Sequence, residues 1–76
     1  MKARVTVTLK TGVLDPQGKA IEGALKSLGV DGIGAVRQGK IFDLDLADMD
    51  RAAAEAVIKA ACEKLLANTV VENYRI

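Results

Sequence analysis

The fold is decided where a predicted strand is followed by a helix, in the run Leu9-Lys10-Thr11-Gly12-Val13-Leu14-Asp15-Pro16-Gln17-Gly18-Lys19-Ala20-Ile21. Asp15 is a preferred helix N-cap residue, because its carboxylate can accept hydrogen bonds from backbone N–H groups of the first turn. Pro16 then takes the first helical position, where its missing N–H leaves no bond unmade and its fixed φ suits a helix. The run therefore predicts a strand, a short loop and a helix that begins at Pro16.

Gly18 lies in the first turn of this helix, where glycine costs about 1 kcal/mol relative to alanine. One interpretation is a well-capped helix that tolerates a weak residue. The other is that some group approaches the backbone closely here, since glycine has no Cβ. The sequence shows no core-packing reason for glycine, so on either interpretation we expect a Gly18→Ala variant to fold well.

The spacing of hydrophobic residues distinguishes strands from helices in the rest of the first half of the chain. Alternation from Lys2 to Lys10 predicts a strand with one apolar face, formed by Ala3, Val5, Val7 and Leu9. Helical spacing extends the first helix from Pro16 to Leu28, and Gly29 follows as a C-terminal glycine. Gly32 to Leu46 predicts two strands joined by a turn at Gln38-Gly39, although one long strand bent at Gly39 is an alternative.

The second half predicts a helix and a closing strand. Asp48 or Asp50 caps a helix that continues to about Ala67, and Asn68 is able to take a left-handed conformation at its end. Its expected core stripe lies next to Cys62 and contains Ala54, Val57, Ile58, Ala61 and Leu65. The closing strand covers residues 70–76.

The predicted order is β-α-β-β-α-β in a single domain, residues 1–76. Each helix has one apolar stripe, so both are expected to cover one face of a mostly antiparallel sheet, in a two-layer α+β sandwich of ferredoxin-like type. The opposite sheet face is mixed in character, and the outer face of the second helix is rich in alanine. These two surfaces supply our candidates for an oligomer interface, which are Thr6, Thr8, Ala53, Ala56 and Ala60.

Composition narrows the class of function. The 76 residues contain one cysteine and no histidine, which excludes an internal disulfide and an ordinary zinc site. The net charge of +1 provides no strong electrostatic attraction to nucleic acid or to an acidic membrane. No apolar run is long enough to span a bilayer. A lone thiol without a targeting segment is typical of a cytoplasmic protein. A chain this small without a disulfide or metal is expected to associate with other chains.

A catalytic site is hard to assemble from these residues. Ser27 has no activating partner in its helix, and Cys62 lies at the core stripe, where a thiol acts as a small hydrophobe. Only Phe42 and Tyr74 are aromatic, too few for base stacking on a sheet. Four carboxylates suggest calcium but lack the glycine and final glutamate of an EF-hand loop: Asp43, Asp45, Asp48 and Asp50. We therefore predict neither catalytic nor metal-binding residues.

The opening run resembles the PurS family, the small subunit of the multi-chain phosphoribosylformylglycinamidine synthase of purine biosynthesis. The likeness continues through Glu22-Gly23-Ala24-Leu25, Leu28-Gly29 and Val36-Arg37-Gln38-Gly39-Lys40. It reaches almost to the end of the chain in Cys62-Glu63-Lys64-Leu65-Leu66-Ala67-Asn68-Thr69-Val70-Val71-Glu72-Asn73-Tyr74.

This resemblance implies a non-catalytic subunit that bridges a synthetase subunit and a glutaminase subunit and supports ammonia transfer between them. ATP and magnesium are then expected on the synthetase subunit, with no cofactor on this chain. Self-association as a dimer or tetramer is also implied. Our candidates for partner contact lie in or near the opening run and are Lys10, Asp15, Pro16, Gln17, Gly18, Arg37 and Lys40.

Two alternative functions fit the same element order. A ligand-sensing regulatory module of ACT-like type would need a polar pocket at a subunit interface, for which the loop from Lys10 to Gly18 is the candidate. A free-standing small isomerase is the weakest alternative, because the chain offers no histidine as a base.

Overall fold

The computed structural model describes all 76 residues. The chain contains strand β1 (Lys2–Leu9), helix α1 (Pro16–Ser27), strand β2 (Lys40–Asp45), helix α2 (Arg51–Ala61) and strand β3 (Glu72–Arg75). A π-helical turn, Cys62–Leu66, continues α2 without a break. No helix of the chain is both long enough and apolar enough to cross a bilayer.

The three strands form one antiparallel sheet in the order β2-β1-β3. Strand β1 lies in the centre, with Val5 opposite Phe42 of β2 and Val7 opposite Tyr74 of β3. The predicted alternation along β1 is confirmed, because Val5 and Val7 are fully buried while Thr8 is exposed. The antiparallel α+β fold class is thereby confirmed.

One predicted strand is absent. Residues 30–39 form neither a strand nor a hairpin at Gln38-Gly39, so the observed order is β-α-β-α-β. Chain reversal at Gly39 does not occur because this residue lies against the end of β1, where a Cβ would come within 2.6 Å of the Val7 carbonyl oxygen. The free edge of β2 is where a hairpin would have placed the missing strand.

Both helix starts follow the predicted chemistry. Asp15 caps α1 through Gly18 N–H, and Asp50, rather than Asp48, caps α2 by accepting from Ala53 N–H at 2.7 Å. Helix α1 ends at the expected glycine, since Gly29 has a φ of +79°. At the end of α2 the prediction for Asn68 was wrong, because no residue other than glycine has a positive φ.

The core forms where α2 crosses the sheet. It is a cluster of five buried residues, Val5, Val7, Ile58, Cys62 and Ala67. Val57 and Leu65, which we expected in the core stripe, are 48% and 83% exposed. The π-helical turn explains Leu65. Its hydrogen bonds join residue i+5 to residue i, as Ala67 N–H does to the Cys62 carbonyl, so the side chains of the turn rotate away from the α-helical stripe. Cys62, expected beside the stripe, lies at its centre instead.

Helix α1 does not cover the sheet as predicted. Only Gly18 of its residues is buried, and none belongs to the core. The Cα radius of gyration is 16.1 Å, against about 11 Å for a compact chain of this length. The molecule therefore has two parts: a body, made of the sheet, α2 and the π-helical turn, and an arm, made of α1 and the following residues 28–36.

Candidate functional site

The most constrained polar region lies where the arm joins the body. The Asp15 side chain is only 5% exposed, and both of its oxygens accept backbone hydrogen bonds. Oδ1 accepts from Gly18 N–H at 2.8 Å, and Oδ2 accepts from Gln38 N–H at 2.6 Å. We call this arrangement of Asp15, Gly18 and Gln38 the clasp, because it ties residues on both sides of the arm together.

The electrostatics of the clasp favour an ionised carboxylate. Hydrogen bonds from Gly18 N–H, and then from Gln38 N–H, lower the pKa of Asp15, and the nearby Arg37 guanidinium lowers it further. These contributions outweigh the partial burial, which acts in the opposite direction. Asp15 is therefore a charged structural group at neutral pH.

Gly18 is required by the same arrangement. A Cβ on Gly18 would overlap the carbonyl oxygen of Val36 and come within 2.7 Å of Asp15 Oδ2. The close approach expected from the sequence is thus made by the chain's own Val36. This overlap with a backbone atom argues against our expectation that Gly18→Ala would fold well.

Arg37 and Gln17 add further contacts around the clasp. The Arg37 guanidinium donates to the carbonyl oxygens of Val13 at 2.9 Å and Lys10 at 3.3 Å. Gln38 Nε2 donates to Gln17 Oε1 at 2.9 Å. The loop is thus held in one conformation from several directions, while Pro16, Gln17 and Arg37 remain exposed.

A cleft of about 420 Å³, lined mostly by polar residues, opens beside the clasp. It lies between the end of β1, the start of β2 and β3, and is bordered by Asp15, Pro16, Gln17 and Gln38. At its far side Lys40 Nζ lies 3.7 Å from Glu72 Oε2. Four of the seven predicted partner-contact residues, Asp15, Pro16, Gln17 and Lys40, border this cleft. Arg37 and Lys10 are hydrogen-bonded to each other in the neighbouring loop, and Gly18 is buried in the clasp.

The candidates for an oligomer interface do not come together. Thr6 and Thr8 lie on the sheet face opposite α2, whereas Ala53, Ala56 and Ala60 are exposed on α2 itself. The structure therefore divides them between opposite sides of the body.

The remaining candidates for chemistry have structural partners. Cys62 is fully buried, and desolvation raises the pKa of its thiol, which disfavours the reactive thiolate. Ser27 Oγ donates to the Gly23 carbonyl at 3.1 Å. Asp43 pairs with Arg4 at 2.8 Å while Asp50 caps α2, so the acidic run divides between strand surface and helix cap as expected. No three metal-ligating side chains form a group.

The sequence analysis did not identify the Val36 carbonyl, which lies against Gly18, or the backbone N–H of Gln38, which belongs to the clasp. Neither contributes a side chain to it, so neither residue type carried a signal. The only signal was indirect, in a glycine placed where a helix disfavours it.

The fold and this site define a small α+β protein whose most constrained region is a loop–helix junction rather than an assembled set of catalytic side chains. Residues 2–76 match the family model of PurS, described as phosphoribosylformylglycinamidine (FGAM) synthase. The chain belongs to the PurS family.

Curated relatives agree in sequence over most of their length. The chain is 47% identical to the phosphoribosylformylglycinamidine synthase subunit PurS of Bacillus subtilis, over 97% of this chain and 87% of the relative. It is 48% identical to the PurS subunit of a Synechocystis species, over 93% of this chain and 71% of the relative.

Solved structures agree in fold. A crystal form of B. subtilis PurS aligns with a TM-score of 0.87 at 47% identity, over 97% of this chain and 91% of that one. A chain in the structure of PurLQS from Thermotoga maritima aligns with a TM-score of 0.84 at 31% identity, over 99% of this chain and 94% of that one. Both alignments are long enough to include the arm as well as the body.

Proposed function

We propose that this chain is the non-catalytic small subunit that joins the synthetase and glutaminase subunits of phosphoribosylformylglycinamidine synthase. The assembled enzyme converts formylglycinamide ribonucleotide, ATP and glutamine into formylglycinamidine ribonucleotide, ADP, phosphate and glutamate. The observation that carries this proposal is the family match over residues 2–76. The likeness to a chain in the structure of PurLQS from Thermotoga maritima supports the bridging role.

A bridging subunit has a clear physical purpose in this reaction. Ammonia released into water is protonated and loses its nucleophilic lone pair, so the glutaminase must be docked before it cleaves the amide. On this proposal, ATP and magnesium bind the synthetase subunit. This chain supplies surfaces and positioning rather than a reacting group, and acts in the cytoplasm.

We further propose that the loop beside the cleft contacts a partner subunit. Lys10, Gln17, Arg37 and Lys40 supply exposed or half-exposed polar surface beside the exposed ring of Pro16, on a rigid support, which is a common arrangement at binding loops. Asp15 and Gly18 are buried, so their part in docking is to hold the loop in shape.

Self-association as a dimer or tetramer is part of the same proposal. Only eight of the 76 residues are buried, and a chain of this size has no disulfide to stabilise it. Such a small core gives an isolated chain only marginal stability. We therefore expect the chain to bury further surface against other chains.

The test uses the three purified subunits. The wild-type chain should migrate with both partners in size-exclusion chromatography. A Lys10→Glu variant should fold normally but be lost from the complex, whereas Lys64→Glu, an equal charge reversal on the π-helical turn, should be retained. Failure of the wild-type chain to join either subunit, together with specific binding of a small metabolite, would instead favour the regulatory-module alternative.

A further inference from the structure

The acidic groups at the cleft beside the clasp are fully bonded within the chain. Both oxygens of Asp15 accept backbone hydrogen bonds. Glu72 is the other carboxylate that borders the cleft, and its side chain is only 16% exposed. Its Oε1 accepts from Asn68 N–H at 2.7 Å, and its Oε2 lies 3.7 Å from Lys40 Nζ. The negative charge of the cleft therefore has no acceptor left for an incoming cation.

The cationic groups in and beside the cleft keep donors to spare. Lys40 is 54% exposed, and its ammonium group has more N–H donors than its contact with Glu72 engages. In the neighbouring loop, Lys10 and Arg37 belong to none of the ion pairs of the chain. The Arg37 guanidinium donates only to backbone carbonyl oxygens, which carry no formal charge. Positive charge thus exceeds negative charge on this surface in bonding capacity.

Two amide side chains add neutral donors to the cleft. Gln38 Nε2 donates to Gln17 Oε1 at 2.9 Å, and both residues are exposed. This pairing uses a single N–H of the two primary amides and leaves their other N–H groups available. Lys40 borders the same cleft of about 420 Å³ at its far side. The group that satisfies donors of this kind is an anionic hydrogen-bond acceptor.

A carboxylate suits this cleft better than a phosphate. Phosphates are typically held by free backbone N–H groups at a helix N-terminus. At the start of α1, Pro16 has no N–H, and the N–H groups of Gly18 and Lys19 already bond to the side chain and the carbonyl oxygen of Asp15. The ionised Asp15 side chain also repels a phosphate more strongly than a carboxylate, since a phosphate carries more negative charge.

We propose that the cleft receives an aspartate or glutamate side chain from an acidic surface of the partner subunit that this loop contacts. Lys40 binds the incoming carboxylate, and Lys10 and Arg37 provide positive potential beside it. The inference rests on the partner contact proposed above and adds the chemistry of the partner's surface. A protein carboxylate is the fitting occupant because its charge is complementary and because the donors lie on separate segments of the chain, which a protein surface can meet together.

Two neutralising substitutions separate this role from a structural one. Lys40→Gln and Glu72→Gln both remove the internal ion pair, but only Lys40→Gln removes the cation that binds the partner. In titration calorimetry with the purified synthetase and glutaminase subunits, Lys40→Gln should weaken binding by roughly tenfold or more, and Lys40→Arg should restore most of the affinity. Glu72→Gln should bind at least as tightly as wild type, because Lys40 then has no competing carboxylate. Equal weakening by Glu72→Gln, or by Lys64→Gln on the π-helical turn, would overturn the proposal, since the ion pair or the net charge would then explain the effect.

A carbodiimide, which couples a lysine amine to a carboxylate in direct contact, identifies the occupant. The assembled complex carries Glu72→Gln, so that Lys40 cannot be coupled to Glu72. Mass spectrometry should find Lys40 joined to an aspartate or glutamate of the synthetase or glutaminase subunit, and adding Lys40→Arg should abolish the link, since a guanidinium is not coupled. A complex that forms normally without this link would overturn the proposal and leave the bridging function intact. Failure of the wild-type chain to join either subunit would overturn both.

Discussion

The carboxylate of Asp15 accepts a hydrogen bond from the backbone N–H of Gln38 at 2.6 Å, across 23 positions of sequence. Asp15 lies immediately before the first residue of the arm and Gln38 lies just after its last residue, so this hydrogen bond joins the two ends of the arm. The other oxygen of the same carboxylate caps α1 through Gly18 N–H. One buried side chain thus both starts the helix and sets the direction in which it leaves the body.

The two glycines of α1 should respond oppositely to alanine. A Cβ at Gly18 would overlap the Val36 carbonyl, whereas a Cβ at Gly23 meets no atom within 4 Å. Gly23→Ala should raise the free energy of unfolding by up to about 1 kcal/mol, because it removes the helix cost of glycine. Gly18→Ala should lower it by more than about 1 kcal/mol, because the first turn of α1 and the Val36 carbonyl must move apart. Urea unfolding of both variants measures the difference.

Gly23→Ala is the matched control, since it makes the same chemical change in the same helix. Equal stabilisation by both substitutions would mean that Val36 does not approach Gly18 in solution, and the clasp would have to be abandoned.

Acid should weaken the clasp. Hydrogen bonds from Gly18 and Gln38 lower the pKa of Asp15 below its unfolded value of about 3.9. The stability that the carboxylate contributes is therefore complete above that value and is lost as the pH falls through the folded pKa. Asp15→Asn should be less stable than wild type at neutral pH, and the two should converge at strongly acidic pH. A difference that stays constant or widens in urea titrations down the pH scale would contradict this.

The thiol of Cys62 should be dispensable for turnover. It lies at the centre of the core with no exposed surface, and burial raises its pKa. Cys62→Ala should lower the free energy of unfolding by about 1 kcal/mol, the scale of deleting one methyl-sized group. Cys62→Ser should lower it by about 1–3 kcal/mol if the buried hydroxyl finds no partner. Assembled enzyme containing folded Cys62→Ala should keep its glutamine-dependent activity, and a loss would give the thiol a chemical role.

Local patterns predicted the elements whose structure is set by nearby residues. The alternation around Val5 and Val7, the caps at Asp15 and Asp50, and the terminal glycine Gly29 each depend on a few neighbours. The helix starts and the central strand were accordingly correct to within a residue or two.

Predictions from the sequence were wrong where the structure depends on backbone groups that are distant in sequence. Ile33, Ala35 and Val36 suggested a strand, but Gln38 bonds to Asp15 and Gly39 lies against Val7, and no hairpin forms. Leu65 has core character, but the π-helical turn displaces it. The clasp shares this property, because two of its contacts are made by backbone groups whose residue type is not informative.

The central claim is that this chain couples two subunits and performs no chemical step itself. The most direct test compares formation of formylglycinamidine ribonucleotide by the purified synthetase and glutaminase subunits, with and without this chain, using either glutamine or ammonium chloride as the nitrogen source. Glutamine-dependent activity is expected to require this chain, whereas ammonia-dependent activity of the synthetase is not. Full glutamine-dependent activity without the chain, or loss of ammonia-dependent activity in its absence, would contradict it.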